Sequence, residues 1–340
     1  MAANIGRNEI IAIRVDGNNQ VGFGHLMRMK ALAREFSKLG AEVIFLSRNP
    51  ENIKGHRVRQ LDRQTEKEED LLVEEMLMDT QAKMLIIDSY EYAQERLDRM
   101  GQLDVRSVYI DDLNRHPFNT DFVVNGNLYA PGIPYQGRAT FLLGTKYLLM
   151  REEFAGVPLR GLKPSAEHVL ITFGAADMEK VTPRIMQALK SYERFEDLHW
   201  HVVIGPVFRH TAVIEALIQD CPNVTLHHNP VMKNLMDFCD MSISASGSTT
   251  YELAACGVPT LLVIVADNQV RLAQEAQRQG MAFNLGWYHE LDATLLYSAL
   301  NSLINNTTVR EQISRRGQQL IDGRGAQRVA NILLEEMRNR

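Results

Sequence analysis

Short apolar runs alternate with longer stretches of helical spacing along most of this 340-residue chain. In the first half, the runs predict six β-strands, at residues 9–15, 41–47, 84–88, 107–111, 122–125 and 140–143. Apolar residues spaced three and four apart predict helices between them, at residues 25–38, 66–80 and 92–102. Strands that alternate with helices are typical of a parallel, doubly wound α/β sheet.

The same order of elements begins again in the second half of the chain. Strands are predicted at residues 168–173, 199–204, 224–227, 241–244 and 260–265. A stretch rich in glycine and proline, residues 156–165, predicts a linker between the halves. We therefore expect two Rossmann-like domains, residues 1–155 and 166–340, with a cleft between them and a helix at the end of the second. Ligands of such sheets bind beyond the carboxyl ends of the strands.

The loop after the first strand carries the most informative residue, a histidine. Gly22 and Gly24 let backbone N–H groups approach a ligand closely, and His25 stands where the next helix begins. The helix dipole disfavours a charged histidine there, which favours the neutral form that a general base needs. A histidine that only caps the helix fits the spacing equally well. Met27 replaces the third glycine of the dinucleotide fingerprint, so the loop does not favour a nicotinamide or flavin cofactor.

Carboxylates near this loop leave two questions open. Asp16 is a candidate to orient His25, but it could equally form a turn or pair with Arg14 or Arg28. The adjacent side chains of Asp111 and Asp112 point to opposite sides of an extended chain. We expect one of them to reach the cleft and the other to form a cap or pair with Arg115.

In the second half, a strand runs into small hydroxyl residues and a glycine at a predicted helix start. Ser246, Gly247, Ser248 and Thr249 are typical of a diphosphate cradle. Glu252, one turn later, is a candidate to accept hydrogen bonds from ribose hydroxyls. The alternative is that a serine only caps the helix and Glu252 only complements its dipole.

The next strand ends in a segment with two side-chain amides. Asn268 and Gln269 could bind sugar hydroxyls or N-acetyl groups, or the segment could simply cap a helix. His199 and His201 share one face of a strand, but no third metal ligand is identifiable.

Taken together, these segments and several others resemble a known enzyme family. The segments are Arg14-Val15-Asp16, Gly22-Phe23-Gly24-His25-Leu26-Met27-Arg28, Leu32-Ala33, Ile86-Ile87-Asp88-Ser89-Tyr90, Ile110-Asp111-Asp112, Leu149-Met150-Arg151-Glu152-Glu153-Phe154, Ile171-Thr172-Phe173-Gly174-Ala175-Ala176-Asp177, Ser244-Ala245-Ser246-Gly247-Ser248-Thr249-Thr250-Tyr251-Glu252, Asn268-Gln269 and Asp322-Gly323-Arg324-Gly325-Ala326-Gln327-Arg328-Val329. Over nearly its whole length the chain resembles the UDP-2,4-diacetamido-2,4,6-trideoxy-β-L-altropyranose hydrolases of pseudaminic acid biosynthesis, with the related spore-coat polysaccharide proteins. The serine-rich block is shared more widely with MurG-like glycosyltransferases.

The resemblance implies the two-domain architecture of B-type glycosyltransferases and cleavage of the sugar from UDP by water. It implies that His25 is the general base, that Tyr90 lines the sugar site and that Asn268 lies close to the reacting sugar. With Asp16, these are the predicted catalytic residues. The residues predicted to bind the UDP-sugar are Arg14, Gly22, Gly24, Arg28, Gly174, Ser246, Gly247, Ser248, Thr249, Glu252 and Gln269.

The expected reaction needs little beyond a base and a set of dipoles. UDP is a good leaving group, so water attacking opposite to it would invert the anomeric centre. No aspartate is followed by another two positions later, and we therefore expect neither a metal nor another cofactor. A MurG-like glycosyltransferase with a hydroxyl acceptor is the first alternative, and a non-catalytic sugar-nucleotide binding protein is the second.

Composition excludes few other functions. With 37 basic and 42 acidic residues the formal charge is −5, which does not favour nucleic acid as a partner. No apolar run reaches the length of a membrane span, and residues 1–9 lack a signal-peptide core, so we expect a cytoplasmic protein. The three widely spaced cysteines are expected to be free thiols. The oligomeric state stays open, a monomer included.

Overall fold

The computed structural model of the chain describes residues 9–18, 23–62 and 65–339. They divide into two compact units. The first contains the described residues up to Glu152 together with those from Gly323 onward, and the second is Glu153–Asp322. Each unit is built on its own parallel sheet.

Seven strands form the sheet of the first unit. They are β1 (Ile10–Val15), β2 (Glu42–Ser47), β3 (Arg57–Gln60), β4 (Met84–Asp88), β5 (Arg106–Ile110), β6 (Phe122–Asn125) and β7 (Thr140–Leu143). Their order in space is β3-β2-β1-β4-β5-β6-β7. The chain therefore changes direction between the neighbours β1 and β4, where Val15 is in register with Asp88.

Three helices of the first unit separate these strands: α1 (Gly24–Lys38), α2 (Glu66–Thr80) and α3 (Gln94–Met100). Helix α1 buries the apolar residues that predict it, among them Leu26, Met29 and Phe36. They pack with Ile11 and Ile13 on one face of β1, while Ala12 belongs to a separate core on the other face. The start of α1 is thereby fixed at the carboxyl edge of the sheet.

Six strands form the sheet of the second unit. They are β8 (His168–Thr172), β9 (His199–Ile204), β10 (Val224–His228), β11 (Met241–Ala245), β12 (Thr260–Ile264) and β13 (Phe283–Trp287). Their order is β10-β9-β8-β11-β12-β13, so the change of direction recurs between β8 and β11. The helices between and after them are α4 (Val181–Leu189), α5 (Thr211–Ile218), α6 (Met232–Phe238), α7 (Thr249–Ala255), α8 (Val270–Arg278), α9 (Ala293–Asn305) and α10 (Thr307–Leu320).

The last helix, α11 (Gly325–Arg338), belongs to the first unit, and this corrects the predicted assignment of the whole C-terminal segment to the second domain. Its apolar face, with Val329 and Leu333, packs into the same core as α1. The division between the units falls at Glu152, and residues 156–165, the predicted linker, lie within the second unit.

Two strands escaped prediction from the sequence, for different reasons. Strand β3 is an edge strand whose residues are mostly exposed and polar, so it has no apolar run. Strand β13 contains Gly286 at a positive φ of 79° and pairs irregularly with β12, which interrupts the alternating pattern. Within the described residues, no helix is both long enough and apolar enough to span a bilayer.

Candidate active site

The histidine and one aspartate of the first unit meet where β1 and β4 end side by side. His25 is the second residue of α1, which begins shortly after β1, and Asp88 is the last residue of β4. Because β1 and β4 are adjacent parallel strands, their carboxyl ends bring the two side chains to the same edge. His25 Nδ1 lies 2.6 Å from Asp88 Oδ1.

This contact defines which nitrogen of His25 carries the proton. Burial alone would raise the pKa of Asp88, but the charge and hydrogen bonds of Arg28, with those of His25, hold it well below its usual value. The carboxylate is therefore ionised and accepts, so Nδ1–H donates to it. In the neutral ring Nε2 then has the free lone pair. The Asp88 side chain is fully buried, whereas that of His25 is 14% exposed.

Arg28 is held by two carboxylates and supports this arrangement. Its Nε and one terminal nitrogen donate to the two oxygens of Asp88 over 2.6 and 2.7 Å, and the other terminal nitrogen donates to Asp112. Burial would lower the pKa of Arg28, but Asp112 and Asp88 raise it well above the usual value. The guanidinium also lies 3.1 Å from His25 Nδ1, and Asp88 Oδ1 accepts from both groups. Through these hydrogen bonds Arg28 holds the carboxylates of Asp88 and Asp112 in position.

Tyr90 completes the group around His25. The two rings meet edge to face, with centroids 4.6 Å apart and an interplanar angle of 84°. The phenol donates to Asp112 Oδ2 over 2.8 Å, and the residue is 44% exposed. Burial of the phenol and the charge of Asp112 raise its pKa, so Tyr90 stays a neutral hydrogen-bond donor.

The two aspartates after β5 have different partners, and the sequence predicts that their side chains point in opposite directions. Asp112 accepts from Arg28, Tyr90 and Asn127 on the side of His25. Asp111 accepts the backbone N–H groups of residues 113 and 114, which caps the turn. Opposite directions of adjacent side chains explain the division.

Asp16 does not occupy the position expected for a partner of His25. Its carboxylate accepts from the hydroxyl of Ser47 and the backbone of Arg48, and it forms an ion pair with Arg14 at 2.7 Å. It thus links the ends of β1 and β2. The carboxylate that contacts His25 belongs to Asp88, and we replace Asp16 by Asp88 in the candidate site.

Arg14 is likewise a structural residue in this fold. It is fully buried on the β1 face opposite α1 and donates to both carboxylate oxygens of Glu69 in α2. Burial would lower the pKa of Arg14, but the neighbouring Tyr92, Asp16 and Glu69 raise it above its usual value. Its predicted contact with the substrate is therefore withdrawn.

The glycines of the loop before α1 differ in what they allow. Gly22 lies outside the described residues. A Cβ on Gly24 would meet nothing within 4 Å, so that position is open. A Cβ on Gly17 would lie 2.8 Å from Leu26 Cβ, so a glycine is required there for the loop to pack against α1. In the sequence, the only sign of this requirement is the glycine itself, directly after Asp16.

In the second unit, the acidic residue of the loop after β8 binds the start of a helix. Asp177 accepts the backbone N–H groups of Val181 and Thr182 over 2.9 and 2.8 Å, and so occupies the start of α4. Gly174 is exposed at a positive φ of 80°, and a Cβ there would meet nothing within 4 Å. Because it has no side chain, Gly174 can contact a ligand only through its backbone groups.

The serine-rich loop after β11 and the amide segment after β12 touch each other. The buried hydroxyl of Ser246 donates to the backbone oxygen of Gln269 at 3.4 Å, and Gln269 Oε1 accepts from the backbone of Val265. Gln269 Nε2 lies 3.8 Å from where a Cβ on Gly247 would stand. Ser246 and Gln269 therefore hold the two loops together at one edge of the sheet.

The remaining predicted residues of this unit stand around that junction. Ser248 is exposed, Thr249 is half-buried as the first residue of α7, and Glu252 is half-buried in the first turn. Asn268 is exposed in a short 3₁₀ turn, Asp267–Gln269. These residues thus follow the two neighbouring strands β11 and β12, and their role in ligand binding stays a prediction.

Of the two histidines of β9, His201 belongs to a chain of three imidazoles. His201 lies 3.0 Å from His168 on one side and 3.0 Å from His227 on the other, nitrogen to nitrogen. Burial, followed by the neighbouring His227, lowers the pKa of His201 to about 4. Among the residues that the structure describes, no group of three or more His, Cys, Asp or Glu is arranged to hold a metal ion.

The chain has two Rossmann-like parallel-sheet domains, as predicted, and solved B-type glycosyltransferases have the same fold. MurG of Acinetobacter baumannii superimposes with a TM-score of 0.71 over 96% of this chain and 99% of its own, at 15% identity. At that identity the likeness concerns the fold alone.

Two curated relatives add to this at the level of sequence. The spore coat polysaccharide biosynthesis protein SpsG of Bacillus subtilis is 24% identical over 331 residues, 95% of this chain and 97% of the relative. The UDP-2,4-diacetamido-2,4,6-trideoxy-beta-L-altropyranose hydrolase of Campylobacter jejuni is 29% identical over 150 residues, 42% of this chain and 53% of the relative. No family model matches the chain.

Proposed function

We propose that this chain is a nucleotide-sugar enzyme that hydrolyses a UDP-linked sugar to the free sugar and UDP. The observation that carries the proposal is the 2.6 Å contact between His25 Nδ1 and the buried, ionised Asp88. A carboxylate in this position fixes the ring and its tautomer and stabilises the imidazolium that forms when Nε2 accepts a proton.

In the proposed reaction, Nε2 of His25 takes a proton from a water molecule as the water oxygen bonds to the anomeric carbon. The bond from that carbon to the β-phosphate oxygen breaks, and UDP leaves with the electron pair. Attack opposite to UDP inverts the anomeric centre. The reaction needs no metal, which remains a prediction.

UDP is proposed to bind at the second unit. Backbone groups of Gly174 and Gly247, with the hydroxyls of Ser248 and Thr249, would receive the diphosphate. Glu252 would accept from the ribose hydroxyls, and the exposed amide of Asn268 would reach the sugar. Ser246 and Gln269 act indirectly, because their mutual bond at 3.4 Å holds the two loops in place.

The proposed substrate is UDP-2,4-diacetamido-2,4,6-trideoxy-β-L-altropyranose. Support comes from the Campylobacter jejuni relative, whose name states that substrate, and from the resemblance of the motifs around His25 and Tyr90 to that family. The proposed setting is the synthesis of a surface polysaccharide sugar, in keeping with the name of the Bacillus subtilis relative.

A glycosyltransferase is the second candidate, and the fold match to MurG favours it. In that reaction His25 would deprotonate a hydroxyl of an acceptor in place of water, with the same Asp88 behind it. The two functions therefore differ in the acceptor and share the base.

The deciding experiment measures UDP release from UDP-2,4-diacetamido-2,4,6-trideoxy-β-L-altropyranose, with a chelator present and no acceptor added, while NMR follows the sugar anomer. We expect stoichiometric UDP and a free sugar whose first-formed anomer is inverted. UDP release only after an acceptor alcohol is added would replace the hydrolase by the glycosyltransferase. UDP binding with neither reaction would identify a binding protein.

A further inference from the structure

Asp112 gathers donors from three separate segments of the first unit. Arg28 approaches both of its oxygens, at 3.0 and 2.9 Å. The phenol of Tyr90 donates to Oδ2 over 2.8 Å, and Asn127 Nδ2 donates to Oδ1 over 2.8 Å. Three donors on one carboxylate leave it little freedom to turn.

A hydrogen bond to the phenol matters for Tyr90 because few contacts among the described residues hold its ring in one position. The residue follows β4 in a loop and is 44% exposed. An exposed tyrosine ring samples several rotamers unless a contact selects one. The phenol donates a hydrogen bond to Asp112, and the ring contacts that of His25 edge to face, with the centroids 4.6 Å apart.

We propose that Asp112 is a positioning residue for the reaction, which acts through Tyr90. Held by Arg28 and Asn127, it fixes the phenol so that the tyrosine ring stays edge to face with the base His25. The role in turnover rests on the proposed function, while the placement of the ring does not depend on it.

The kinetic test is a double-mutant cycle on UDP release with three variants: Asp112→Ala, Tyr90→Phe and the double variant. Each single variant should lower kcat by about 10- to 100-fold, the scale of a misplaced reacting group, with a smaller change in KM. In the Tyr90→Phe background, Asp112→Ala should cost less than about 2-fold, because the bond it breaks is already absent. Full multiplication of the two losses would overturn the proposal.

A conservative variant and a distant control separate positioning from general stability. Asp112→Asn can still accept from Tyr90 through its amide oxygen, so it should keep more of kcat than Asp112→Ala. Asp121→Ala is the control: its carboxylate also accepts three donor groups, from Ser107 and Arg106, at the amino ends of the strands. It should lower the melting temperature and leave kcat unchanged. An equal kcat loss in Asp121→Ala and Asp112→Ala would show a merely structural effect.

A spectroscopic test works even if no UDP is released. The ring-proton resonances of His25, assigned by their loss in His25→Asn, report the neighbouring tyrosine ring. In Asp112→Ala they should move from the wild-type positions toward those of Tyr90→Leu. Unmoved resonances would overturn the placement. Moved resonances in a protein that does not hydrolyse the substrate would sustain the placement while the proposed function fails.

Discussion

The two units share one topology but line the carboxyl edges of their sheets with different chemistry. In the first, charged side chains bind each other, with Arg28 between Asp88 and Asp112. In the second, the corresponding edge presents glycine backbone, hydroxyl groups and amides, joined by the longer bond of Ser246 to Gln269. A dense ionic group holds the imidazole of His25 in the first unit, whereas small and polar residues line the corresponding edge of the second. One topology thus carries the two kinds of edge to which the proposed function gives the base and the UDP site.

The sharpest test of this contrast removes the base from the first unit. His25→Asn should lower turnover by ~100-fold or more, as expected for a lost general base. UDP affinity, measured by calorimetry, should stay at the wild-type value, because the proposed UDP contacts lie in the second unit. His289→Asn, at an exposed histidine of the second unit, is the matched control. Wild-type turnover in His25→Asn would remove His25 from the reaction.

Removing the carboxylate behind the base should have the next largest effect. Asp88→Asn leaves His25 in place but no longer favours Nδ1–H, so kcat should fall roughly 10- to 100-fold, less than for loss of the base itself. Because the pKa of Asp88 is lowered in the folded protein, its contribution to stability is present above the usual carboxyl range and is lost as the pH falls.

Asp88→Asn should therefore melt at a lower temperature than wild type at pH 7, and the difference should shrink toward pH 3. Rates are compared below both melting temperatures. A folded Asp88→Asn enzyme with full turnover would show that His25 needs no carboxylate partner.

On the second unit, the contrast predicts an effect on binding instead of turnover. Glu252→Ala should weaken UDP binding about 10-fold. This corresponds to about 1.4 kcal/mol, close to the lower end of the range for a hydrogen bond to a charged group. The value of kcat at saturating substrate should stay near wild type. Glu252→Gln, which keeps one acceptor oxygen, should lose less. A fall in kcat with unchanged UDP affinity would place Glu252 with the reacting groups.

The smallest expected effect concerns stability alone. The pKa of His201 is lowered to about 4 in the folded protein, so the unfolded chain binds more protons between that value and the usual histidine range near 6.5. Stability of the second unit should thus be full above pH 6.5 and fall as the pH drops toward 4.

His201→Gln should flatten this slope in melting temperature against pH. The ionisable neighbours that act on the imidazole chain, and that the measurement must keep intact, are His199, Asp240, Lys163 and Glu167. An unchanged slope would assign the acid sensitivity to those groups.

The sequence predicts the fold well because burial dominates its pattern. Strands such as β4 and β12 are buried along their whole length, and their apolar runs mark them at once. Edge strand β3 and the return of α11 to the first unit depend on contacts that no local pattern records.

The candidate site could be predicted only as far as strand ends reveal it. The glycine loop before α1 predicts His25, and the family resemblance predicts Tyr90. The contact of His25 with Asp88, however, spans 63 positions and requires the order of β1 and β4. Because such sheets change direction beside their first strand, the end of β4 lies next to the end of β1, and this topology favours Asp88 over Asp16. The predicted contact of Arg14 with the substrate was wrong because a charged residue near a strand end can be fully buried when it pairs with a buried carboxylate such as that of Glu69.

The return of α11 means that, in chain order, the second unit is an insertion within the first. The two ends of that insertion lie near each other, since the backbone N–H of Gly156 donates to the carbonyl of Asp322 over 2.9 Å. A gene fragment that stops at the end of β7 would therefore encode a sheet without the helix that closes its core. Fusing Glu152 to Gly323 through a short linker is the rational way to produce the unit that contains His25 by itself.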